Sequence, residues 1–154
     1  MRDQKWLEQF FRSIWREHFS DVKEETPVKI VFGRNTKNRL GSLKFEPKKK
    51  QSLLRVNGLF RYEDVPEIVI KATIVHEMCH YAHGFHSHLP QKHKYPHSGG
   101  VIRAEFKERG LEDLYLQQKK WLKNNWKDIV QQYLPHMVKK KRRRRLIKSS
   151  NFFR

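Results

Sequence analysis

The sequence predicts an α+β fold in which a small three-stranded antiparallel sheet packs on helices, one of them carrying a metal-binding motif. Three observations lead there. Apolar residues recur at helical spacing in four stretches, three short β-rich runs separate the first stretch from the second, and the second contains His76-Glu77-Met78-Cys79-His80. With 154 residues, 37% hydrophobic and 12% aromatic, the chain can build one modest core. We therefore expect a single domain over residues 1–135, followed by a basic tail over 136–154 that is disordered when free.

The elements follow in order. Trp6, Leu7, Phe10, Phe11, Ile14, Trp15 and Phe19 predict an amphipathic helix over 3–19 with its aromatic face inward. Strands are expected near 28–33, 39–45 and 53–57, forming an antiparallel sheet whose edge can take up an extended chain by strand addition. Lys48-Lys49-Lys50 falls in a turn after Pro47. Asp64-Val65-Pro66-Glu67 reads as a helix start, with Asp64 as cap and proline in the first turn. From there Val65, Ile68, Val69, Ala72, Val75, Cys79 and Ala82 form an apolar stripe that ends before Gly84. A further helix runs from Val101 to a closing Gly110, and a last one over 112–132 carries Leu114, Trp121, Leu122, Trp126, Ile129 and Val130 before Pro135.

His76 and His80 carry the chemistry. Four residues apart on a helix, they differ by only about 40° around the axis, so both imidazoles leave one face and can share an ion. Glu77 stands where a carboxylate can take a proton from a metal-activated water. Such a site needs a third protein ligand and an open position. Seven of the nine histidines lie between 76 and 97, so candidates abound. His97 is preferred, because a histidine opening the next helix can reach across to its neighbour. His86 has the spacing of HExxHxxGxxH sites, although position 83 is His and the glycine comes at Gly84. Glu105, Glu108 and His93 stay open. His83 sits too near the first pair to close a tetrahedron easily. Tyr81, His93 and Tyr95 are the candidates for a second electrophile, and the 84–100 loop joining the two ligand-bearing helices is long enough for a lid.

Charge is the second signal. Thirty-four Lys and Arg against sixteen Asp and Glu leave +18, a field that favours a polyanion, of which nucleic acid is the commonest. Lys139, Lys140, Lys141, Arg142, Arg143, Arg144 and Arg145 form an uninterrupted cationic run suited to phosphates. A localisation signal or an acidic membrane surface would use the same charge. No apolar run approaches a membrane span, and the N-terminus lacks the apolar stretch of a secretory signal. The single cysteine, Cys79, excludes an intrachain disulfide and reads as a core thiol in a reducing compartment. The chain is accordingly expected in the cytoplasm, nucleoid or nucleus, not secreted.

His76-Glu77-Met78-Cys79-His80 followed by His97-Ser98-Gly99-Gly100, Phe106 and Gly110, with a helix and three strands upstream, resembles the SprT-like zinc metallopeptidase family, the Spartan-related protease domain. The resemblance covers about residues 5–112. It implies a minimal zincin-like core with Zn2+ as cofactor, His76, His80 and His97 as ligands and Glu77 as catalytic base. It also implies a protease acting on proteins bound or crosslinked to DNA, in DNA repair. The alternative reading is a non-catalytic, zinc-stabilised nucleic-acid-binding protein, its metal closed by four ligands.

Overall fold

In the computed structural model, residues 1–137 are described. The cationic run Lys139–Arg145 and most of the expected 136–154 tail lie outside them. The fold is α+β. Helix α1 (Gln4–His18) begins at Asp3, whose carboxylate accepts from the Trp6 amide at 2.8 Å. Its Leu7, Phe11, Ile14 and Trp15 are buried, each such side chain contributing roughly 1.5–3 kcal/mol of apolar transfer. This face packs on strand β1 (Val28–Phe32) and on helix α2 (Glu67–Ala82).

The sheet is mixed, which corrects the antiparallel expectation. Strands β2 (Gly41–Glu46) and β3 (Gln51–Val56) pair antiparallel through the turn after Pro47, but β1 pairs parallel with β3, giving the order β1-β3-β2. The cause is the connector between β1 and β2. Phe32 and Gly41 both sit opposite Val56, so residues 33–40 must round the end of β3 and leave it in the middle. Asn57, directly after β3, pins that arc. Its amide donates to the Thr36 and Arg39 carbonyls, both at 2.8 Å, and its side-chain oxygen accepts from the Thr36 amide. Parallel neighbours need a long connection, and the stretch from 33 to 50, with β2 inside it, supplies one.

Helix α2 starts later than expected. Pro66 occupies its N-cap position, while the Asp64 carboxylate accepts from Tyr133 Oη at 2.7 Å. Nor is α2 amphipathic. Beyond the predicted stripe, Ile70, Ile74 and Met78 are fully buried, because β2 and β3, α1, α3 (Val101–Glu108) and α4 (Glu112–Tyr133) surround it. A helix apolar on nearly every side is a central helix. Cys79 lies wholly inside it, and burial pushes its thiol pKa upward. Among the described residues, no helix is long and apolar enough to cross a membrane.

Candidate metal centre

Two segments build the centre. The flank of α2 that faces the cleft presents His76 and His80, and a short 3-10 turn at Ser98–Gly100 sets His97 against them just before α3. Gly99 and Gly100 have φ of 67° and 68°, a left-handed pair that reverses the chain between His97 and Val101 and that side chains would strain.

The three Nε2 atoms converge. His80 lies 3.1 Å from His76 and 3.0 Å from His97, and His76 lies 3.3 Å from His97. Each Nε2 carries either a proton or a lone pair, so ring protons cannot satisfy all three contacts together. One cation satisfies three lone pairs at once. A tetrahedral ion bound at about 2.0–2.1 Å spaces its nitrogens about 3.3–3.4 Å apart, close to the separations found. Burial, with the charge of His97 adding to it, pushes the His76 pKa down to about 4, and burial followed by the neighbouring His76 and His97 pushes that of His80 to about 3. Both rings are therefore neutral at pH 7, the form that ligates. These residues can hold a metal ion.

The other candidates are placed elsewhere. Glu105 Oε1 is 2.7 Å from His83 Nε2, and its second oxygen accepts from Arg109 Nε at 3.0 Å. Glu108 is exposed. His86 is exposed with φ of 53° and lines the cleft without joining the cluster, while its carbonyl accepts from Ser52 Oγ at 2.6 Å. His88 rests against Phe45, and His93 against His83, with ring centroids 4.9 Å and 4.6 Å apart. As a second electrophile Tyr81 is ruled out: it is buried beside Trp15 and donates to the Thr26 carbonyl at 3.1 Å. Tyr95 is exposed, with the Lys94 ammonium over its ring.

Glu77 is 7% exposed beside the triad. Burial raises its pKa to about 7, with the charge of Arg39 pulling the other way. A cleft of about 300 Å³ runs between Gly41–Leu43 of β2 and the three histidines, and Glu77 opens onto it. Gly41 makes that closeness possible. A Cβ there would stand 2.8 Å from Thr73 Cγ2 and 3.4 Å from Glu77 Cγ, so any side chain would push β2 off α2. Sequence reasoning missed Gly41 and Arg39 as site residues; a glycine inside a strand pattern was the available signal for Gly41. It also missed the positioning chain behind the site. His83, 1% exposed, joins Glu105, then Arg109, whose guanidinium reaches Asp21 at 2.7 Å and the His18 carbonyl at 2.6 Å. This chain ties α3 to α2 and to the end of α1. Because α3 follows His97, the same chain holds the third imidazole in register.

No family model, curated protein or solved structure matches this chain.

Proposed function

We propose that this chain is a zinc metallopeptidase with a minimal zincin-like core, of the SprT-like kind, acting on proteins held at DNA. The observation that carries the reading is the convergence of the His76, His80 and His97 Nε2 atoms within 3.0–3.3 Å of one another, with the Glu77 carboxyl buried beside them at a cleft. Three imidazole nitrogens in a tetrahedral half-shell suit zinc, and the donor set leaves a position for water. Zinc bound there would lower the pKa of a coordinated water to about 7 and polarise the scissile carbonyl.

The chain's own residues supply the rest. Glu77, with a proton affinity raised close to neutrality by burial, takes the proton of the attacking water and returns it to the leaving amine. Edge strand β2 borders the cleft, so an extended substrate can pair with its free side and place a carbonyl over the triad. The net charge of +18 and the Lys139–Arg145 run support nucleic acid as the place where substrates are met. Against a closed structural site stands the ligand count: among the described residues three, not four, His, Cys, Asp or Glu groups meet at the cluster.

Glu77→Gln tests this. It should keep the metal and the melting temperature while slowing proteolysis by at least ~100-fold, the scale of a lost general base. Equal cleavage by both forms, freed of contaminating protease, would refute the assignment.

A further inference from the structure

We infer that the outer face of the sheet, together with the rim formed by the β1–β2 connector, binds the phosphate backbone of a nucleic acid and leads it to the metal centre. The inference deepens the nucleic-acid part of the proposed function and rests on it. Strand register sets the face. Val28, Ile30, Leu43, Leu54 and Val56 point to the helices and are buried, so the alternate residues look outward. Across that outer face Lys29, Leu53 and Lys44 lie side by side, followed by Val31, Arg55 and Ser42. Lys29, Lys44 and Arg55 are exposed, and Glu46, which accepts from Gln51, is the one carboxylate on these strands.

The row continues at the rim. Exposed Arg34 and Arg39 join Arg55 around a cleft of about 390 Å³, which shares Arg39, Gly41 and Ser42 with the cleft at the triad. Among the described residues no carboxylate lies within ion-pair distance of Lys29, Arg34, Arg39, Lys44 or Arg55. Like charges held together without counter-charges await an anion. The backbone beneath them is already fixed, by Asn57 at Thr36 and Arg39 and by Trp126 Nε1 donating to the Lys37 carbonyl at 2.8 Å. Guanidinium groups match phosphate oxygens in a two-point fork. Cations spread over three strands suit a repeating anion, whereas one carboxylate of an acidic peptide would use only the arginine rim. A protein bound to a nucleic acid held there is delivered to the metal cleft by the folded domain itself, independently of the tail.

The test uses the full chain and labelled single-stranded and duplex oligonucleotides over a sodium chloride series. One variant combines Arg34→Gln, Lys44→Gln and Arg55→Gln, with Arg39 kept because its charge acts on Glu77. A control removes the same charge from α4 by Lys119→Gln, Lys123→Gln and Lys127→Gln. The first variant should bind single strands at least ~10-fold more weakly at moderate salt. Its plot of log K against log salt should be shallower by about 2, three contacts at about 0.7 each. Metal content and melting temperature should match wild type, and the control should bind nearly as wild type does. Equal binding by the first variant and wild type overturns the inference, as do equal losses in both variants, which would mean diffuse attraction. If the first variant keeps its oligonucleotide affinity but loses cleavage of peptides with Asp or Glu near the scissile bond, the cleft is an acidic-peptide subsite and the inference fails. If wild type binds no oligonucleotide, the inference falls together with the nucleic-acid part of the proposed function, while Glu77→Gln still tests the peptidase part.

Discussion

His97 contributes one of three nitrogens, so its loss leaves two ligands on a single helix. His97→Ala should weaken metal binding by more than the roughly 10–100-fold typical of an outer-shell partner. His86→Ala should change it by no more than a few-fold, since His86 stands at the cleft without joining the triad. Competition with a chromophoric chelator reads both, and a metal-free His86→Ala protein would reverse the ligand assignment. The helical pair and its glutamate were legible from spacing alone, because four residues on a helix fix their own geometry. The third position was legible as a preference, not from spacing: seven histidines fall between 76 and 97, His97 was favoured as the one opening the next helix, and the path of the loop brings it to the pair. Glu105 shows the difficulty. It lies on the expected helix, but its carboxylate is taken by His83 and Arg109, partners that no local pattern pairs with it.

At the scale of elements, the packing of β2 on α2 sets the width of the cleft, and Gly41 sets that packing. Gly41→Ala should destabilise the protein by about 1–3 kcal/mol, the usual cost of overpacking a tight contact. Thr73→Ser removes the obstructing methyl at 2.8 Å while retaining the hydroxyl that accepts from Gln118, so the double variant should regain much of the loss. Urea unfolding of the four forms gives the coupling, and additive losses would mean the contact does not limit the packing. Helices and strands were readable to within a few residues because their periodicities are local. Strand direction was not. Whether β1 runs with or against β3 depends on an arc held by Asn57, which in sequence reads only as the end of a strand. The central place of α2 was likewise hidden: the helical stripe accounts for Val69 and Val75, but Ile70 and Ile74 are buried only because neighbours close in on the opposite side.

At the scale of the whole molecule, charge is spread between the folded domain and the Lys139–Arg145 run. Deleting residues 139–154 should weaken oligonucleotide binding and flatten its salt dependence while leaving metal content unchanged, as measured by fluorescence anisotropy and elemental analysis. Identical salt slopes before and after deletion would remove the tail from the binding surface. The same global view gives Cys79 a use. It is the one thiol of the chain, it has no exposed surface, and its pKa is raised, so an alkylating reagent reaches a reactive thiolate only when α2 comes away from its neighbours. The labelling rate is therefore a clock for the opening of the helix that carries His76 and His80. Chelation should quicken that clock by the factor with which the bound ion holds the helix shut, and a labelling rate that ignores the chelator would mean that α2 opens independently of the metal.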